Sequence, residues 1–206
     1  MNRISILVAI AALNVWLPDR TARGETEVIA SQSLTIQPTG PRQGEAAKDY
    51  FNVEGNDNER YASFGVLVFE LPKEIQGKEL SGLTLKLVQT APRFAKEGTI
   101  KLFLAPDLDP GTDLKFDVDA PDGVGKQIQP LRALGSADFK NPEKGKPQEF
   151  KLAVNGAIRE RIAKGGKLCL VIVPADSKVA ATYFGVSGEA RDNSPKLTLD
   201  LTTGAE

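Results

Sequence analysis

Apolar residues along this chain recur mostly at every second position, in short runs that end at glycine, proline, asparagine or aspartate. That period places one set of side chains on one face of an extended strand. The densest run is YASFGVLVFELP, residues 61–72, rich in β-branched and aromatic residues and closed by Pro72, which cannot continue a central strand. It predicts a core strand. Strict alternation in LTLKL (83–87) and IKLFL (100–104) predicts two half-buried strands, and KLTLDL (196–201) closes the chain with another. EVIASQSLTI (27–36) alternates loosely and predicts the first strand, and DYFNV (49–53) a short second one. LCLVIV (168–173) is apolar at every position, the pattern of a central strand covered on both faces.

Between these runs the pattern changes twice. Val154, Ile158 and Ile162 recur at four-residue spacing and stop at Gly165-Gly166, which predicts one short amphipathic helix. EFKLA (149–153) and VAATYFGV (179–186) predict further strands on either side of it. Residues 107–147 have little periodicity, and one short strand is expected there, at 113–118. GNDNE (55–59) reads as a hairpin-type loop leading into the strand within 61–72. Many short strands with turn signals and a single helix predict an all-β fold, an antiparallel β-sandwich or jelly roll, over residues 25–206.

The chain has 206 residues, 41% of them hydrophobic, enough for one domain with a substantial core. Arg3, an apolar stretch at 4–17 and Ala22-Arg23-Gly24 together predict a signal peptide over residues 1–24, cleaved before Glu25. The expected location is therefore secreted, extracellular or periplasmic, with no membrane association after cleavage. Cys169 is the single cysteine, so no disulfide within the chain supports the fold, and its apolar neighbours make it core filler. A net charge of -1 offers no electrostatic footprint for nucleic acid. Histidine is absent, which excludes a Ser-His-Asp triad and imidazole metal ligands.

The succession YASFGVLVFELP, ELSGLTLKLVQT, GTIKLFLAPD, FKLAVNGAIRERIAKGGKLCLVIVP and TYFGVSGEARDNSPKLTLDL resembles the DNRLRE-type modules. The resemblance rests on Phe69-Glu70-Leu71-Pro72 at the end of a leading strand, on a Lys-x-Leu strand near a short helix and glycine-bounded turn, and on the polar loop Arg191-Asp192-Asn193-Ser194-Pro195 before Lys196-Leu197. It spans most of residues 26–203. It implies an extracellular β-sandwich similar to a carbohydrate-binding module family, with polysaccharide or cell-surface matrix as partner.

Sugar rings lie on exposed aromatic faces flanked by polar groups. The one tryptophan, Trp16, falls in the leader, leaving three tyrosines and nine phenylalanines. Tyr50 and Tyr61 flank a polar loop, and with Asn52, Asp57, Asn58 and Arg60 they form the candidate ligand site. The competing reading makes both tyrosines caps of a sheet edge. Asp107, Asp109, Asp113, Asp117, Asp119 and Asp122 form an acidic run that could supply oxygen ligands to calcium, the one cofactor considered. The EF-hand positions for glycine and glutamate are not met: counted from Asp117 they hold Asp122 and Ile128. A solvated acidic loop is the plainer account. No spacing identifies a carboxylate pair for glycoside hydrolysis. The sequence therefore favours a non-catalytic module, against a structural spacer or adhesion domain without ligand, and an unrecognised polysaccharide-active enzyme.

Overall fold

A computed structural model describes residues 23–90, 94–139 and 145–202. The expected leader, apart from Arg23 and Gly24, and Trp16 with it, lie outside the described residues. So do residues 91–93 of the loop between the two alternating runs, and residues 140–144.

The fold is all-β and antiparallel, with one α-helix. Strands β1 (Arg23–Gln37), β4 (Phe64–Leu71), β5 (Glu79–Val88), β6 (Gly98–Leu104), β7 (Arg132–Phe139), β8 (Pro147–Lys151), β9 (Gly166–Pro174) and β11 (Lys196–Thr202) form one large sheet in the order β7-β6-β9-β4-β1-β11-β5-β8, and the two-residue β2 (Gly40–Pro41) pairs with β1. Strand β1 belongs to both layers. Its first half pairs with β11, from Arg23↔Thr202 to Ile29↔Lys196, and its second half pairs with β4, from Ala30↔Phe69 to Ile36↔Phe64. The register shifts between Ala30 and Gln32, and an irregularity of this kind bends a strand and strengthens its twist. The sheet thus folds over on itself into a sandwich. Its free edges also approach: the Ala153 amide, just past β8, donates to the Leu134 carbonyl of β7 at 2.7 Å.

Alternation explains the packing. Leu67 and Phe69 of β4, Leu168, Leu170 and Ile172 of β9, and Leu85, Leu87, Leu197 and Leu199 from the opposite layer fill the space between the layers. The other face of the same strands carries Phe64, Val66 and Val68, with Cys169, Val171 and Val173, and these are buried as well. The irregular residues 105–131 cover them through Ala105, Leu114, Phe116, Val124 and Ile128. Full burial of β9 follows from that cover, as its uninterrupted apolar run predicts. The strand expected at 113–118 does not form. Leu114 and Phe116 alternate because one side of the segment lies on the sheet, and it has no strand partner. Strand β7, which the sequence reading does not anticipate, buries only Leu134 and Phe139 and bulges where the partner register shifts.

Helix α1 (Gly156–Lys164) takes its start from Asn155, whose side chain accepts from the Ile158 amide at 3.1 Å. Ile158 and Ile162 are fully buried in the main core.

Two strands stand apart. β3 (Tyr50–Glu54) and β10 (Ala180–Phe184) form a separate ribbon, from Ala180↔Glu54 to Phe184↔Tyr50. Single bridges tie it to each layer, Glu54↔Ser63 just before β4 and Gln89↔Tyr183 just after β5. The loop expected to make a β3–β4 hairpin is instead a 3-10 turn over Asn56–Tyr61, which carries the chain from the ribbon into the large sheet.

Candidate functional site

Period-2 alternation gives the ribbon two unlike faces. Phe51, Val53, Ala181 and Tyr183 point inward and join the core, with the Phe51 and Tyr183 rings 5.4 Å apart. Tyr50, Asn52 and Glu54 point the other way, opposite Phe184, Thr182 and Ala180. That outer face floors a cavity of about 590 Å³, within the range of small-molecule sites. The floor is Tyr50, Asn52, Glu54 and Thr182, and the walls come from Arg42, Asn58, Tyr61, Thr90, Phe94 and Lys96. Tyr61 is 51% exposed and Phe94 70%. Large aromatic side chains that open to solvent offer flat apolar faces.

Four of the residues read from the sequence, Tyr50, Asn52, Asn58 and Tyr61, line this cavity together. Asp57 and Arg60 are not in its lining. The Asp57 amide donates to the Ser177 carbonyl at 2.8 Å, and its side chain faces solvent. Arg60 lies over the Tyr61 ring at 4.7 Å and donates to its hydroxyl at 2.6 Å, so it holds the ring from one side. Between them, Glu59 has φ 47, a left-handed conformation that costs a non-glycine residue roughly 1–3 kcal/mol.

Arg42, Thr90, Phe94, Lys96, Glu54 and Thr182 complete the lining, and the sequence reading does not single them out. Glu54 and Thr182 were within reach of it: once Asn52 is placed on an outward face, Glu54 follows two residues later and the facing strand supplies Thr182. Arg42 sits in a turn-rich connection and Phe94 in a loop, where no periodicity reports direction.

The polar groups form one network. The Arg42 guanidinium stacks on the Tyr50 ring at 4.0 Å. It donates from Nη1 to Asn52 Oδ1 at 2.8 Å and from Nη2 to the Tyr50 carbonyl. Asn52 in turn donates to Glu54 Oε1 at 2.7 Å and to Thr182 Oγ1 at 3.1 Å. Across the cavity, Lys96 Nζ donates to Asn58 Oδ1 at 2.6 Å, while the Asn58 amide nitrogen donates to the carbonyls of Gly55 and Val179. Burial pushes the Glu54 carboxyl above its ordinary value, opposed by the Asn52 hydrogen bond and by the charges of Lys96 and Arg42. Burial likewise lowers the Arg42 guanidinium from its usual value, against the opposing pull of Tyr50 and Glu54.

The acidic run forms no comparable site. Asp109, Asp117 and Asp122 turn a carboxylate oxygen back onto amides of their own loop, Gly111, Asp119 and Val124 respectively, each at 3.0 Å. Asp113 faces Lys115 at 3.9 Å. Among the described residues no three acidic or cysteine side chains converge as metal ligands. Cys169 is buried, its Sγ 3.5 Å from the Leu108 carbonyl, and burial raises its thiol pKa.

No protein-family model matches the chain, and no curated protein matches it. No helix among the described residues is long and apolar enough to cross a membrane.

Proposed function

We propose that this chain is an exported, non-catalytic β-sandwich module of the DNRLRE-like kind, and that it binds carbohydrate of a polysaccharide or cell-surface matrix in the cavity over the β3–β10 ribbon. The observation that carries this reading is the composition of the cavity. Aromatic faces at Tyr50, Tyr61 and Phe94 stand beside a floor of hydrogen-bonding groups already fixed by one another. A hydroxyl-rich ring needs both kinds of surface, and a floor ordered before binding reduces what association costs. Glycoside hydrolysis usually employs two carboxyl groups flanking the bond. Among the described residues of this lining Glu54 is the single carboxylate, which supports binding without hydrolysis.

Tyr61→Ala and Phe94→Ala test the reading. Both side chains are exposed and carry little of the core. Each substitution should weaken retention in a polysaccharide affinity gel while the far-UV circular dichroism spectrum and the melting midpoint stay at the wild-type values. If wild type is retained by no polysaccharide, the spacer or adhesion reading replaces this one. For export, N-terminal sequencing of the natural protein should start at or near Glu25; an intact Met1 on the mature protein would contradict it.

A further inference from the structure

The hydrogen-bond inventory of the cavity goes beyond carbohydrate binding in general. Asn52 has two amide hydrogens, and both are committed, to Glu54 and Thr182; its oxygen already accepts from Arg42. Asn58 has likewise committed its amide nitrogen to two carbonyls and its oxygen to Lys96. Arg42 is held at both terminal nitrogens, has one face on Tyr50, and its Nε is buried. The residues that look most like ligand contacts are thus the frame of the site. Glu54 differs from them. Its Oε1 accepts from Asn52, and Oε2 has no partner among the described residues. A carboxylate oxygen only accepts, so the group it recognises must donate.

We infer that Glu54 is the specificity-determining residue of this cavity and that it receives adjacent hydroxyls of an uncharged sugar ring, so that the site takes neutral glycans in preference to acidic ones. This rests on the carbohydrate reading above. A uronate or sulfated sugar seated on Glu54 would bring an anion against a fixed carboxylate, and both terminal nitrogens of Arg42 are already turned toward Asn52 and the Tyr50 carbonyl. An amine donor is disfavoured too, because both Arg42 and Lys96 act electrostatically on Glu54. Those two cations, with the phenols of Tyr50 and Tyr61, are the charged or titratable groups that share the lining with it. Lys96 keeps hydrogens beyond the one on Asn58 and can donate to the ring's own oxygens. Phe94 and Tyr61 supply the faces.

Affinity gel electrophoresis tests this with galactomannan and laminarin as neutral probes and polygalacturonate as the acidic one, on wild type and on Glu54→Gln. Wild type should be retarded by a neutral probe and pass polygalacturonate freely. Glu54→Gln should weaken that association about tenfold or more, the scale of losing a hydrogen bond to a charged acceptor. Its melting midpoint at neutral pH should stay close to wild type, because an amide oxygen still accepts from Asn52 and the half-buried carboxylate charge is gone. A merely structural residue would lower stability and retention together. Wild-type retardation should also fall on acidification, as the carboxylate takes up a proton, while the variant stays flat with pH; this titration serves as the test even if the variant folds poorly. Retardation by polygalacturonate alone would overturn the inference and leave carbohydrate binding standing, as would a variant that binds neutral probes like wild type. Retardation by none of the three would remove the carbohydrate reading itself.

Discussion

Gly65→Ala is a sharp probe of how the ribbon is seated. Gly65 lies in β4 with an ordinary backbone conformation, so alanine meets no torsional obstacle there. The obstacle is space. A Cβ at this position would lie 2.8 Å and 3.0 Å from two ring carbons of Phe51 and 3.4 Å from a methyl of Val53. Carbon atoms rest at about 3.5–4.0 Å, so the ring must retreat by on the order of 0.7–1 Å. It has nowhere to go, since Phe51 is fully buried against Tyr183, which itself meets Phe139 at 6.0 Å. Overpacking of this kind costs roughly 1–3 kcal/mol, and the lower unfolded-state entropy of alanine returns about 0.4–1 kcal/mol. A net loss of about 1–2 kcal/mol should lower the melting midpoint by roughly 2–8 °C for a chain of this size. Calorimetry or thermal circular dichroism reads this directly. Gly156→Ala, where nothing lies within 4 Å of the new methyl at the start of α1, should leave stability unchanged or raise it. Because Phe51 sits between Tyr50 and Asn52, Gly65→Ala should also weaken glycan retention. A variant as stable as wild type would show that Phe51 does not rest on Gly65, and the account of how the cavity floor is supported would fall with it.

Phe69→Ala, at a fully buried position of the main core, should cost roughly 3–5 kcal/mol in chemical denaturation, and an unmoved midpoint would mean that β4 is in another register. Cys169, buried with a raised thiol pKa, should react with Ellman's reagent only after denaturation, so rapid reaction of the native protein would place it at the surface. Because Asp109, Asp117 and Asp122 of the acidic run cap their own loop, millimolar calcium and EDTA should give the same melting midpoint; a rise with calcium would reveal ligands that the described residues do not bring together.

Much of the fold was legible because burial on one face writes itself into the sequence with period 2. LTLKL, IKLFL and KLTLDL each became a strand, and the unbroken LCLVIV became one covered on both sides. The same logic misleads at Leu114 and Phe116. There alternation reports a segment lying on a sheet, where the Phe116 amide donates to the carbonyl of Gln37 at the end of β1 but no strand ladder forms. β7 failed in the opposite sense: it is paired, but Gly135 and a bulge break its period. The partner of β3 lies 130 residues away, Asn52 opposite Thr182, and no local pattern encodes such a pairing. That limits the site as well. Tyr50, Asn52, Asn58 and Tyr61 are close in sequence and were seen as a group, while Arg42, Phe94 and Lys96 reach the cavity only through the tertiary fold.

The doubly used first strand has a mechanical consequence. Arg23 and Thr202 face each other across the first rung of the β1–β11 ladder, and the two strands run antiparallel. A load that draws these two residues apart would therefore act on the rungs one after another, as a zipper opens, and would not shear them all at once. The strand being peeled is also the one that continues, past its bend, into the pairing with β4. Tension applied there would act on a strand that both layers share, while pulling on the β3–β10 ribbon would load a different set of bonds. The point at which load enters the fold therefore decides whether it yields early or holds.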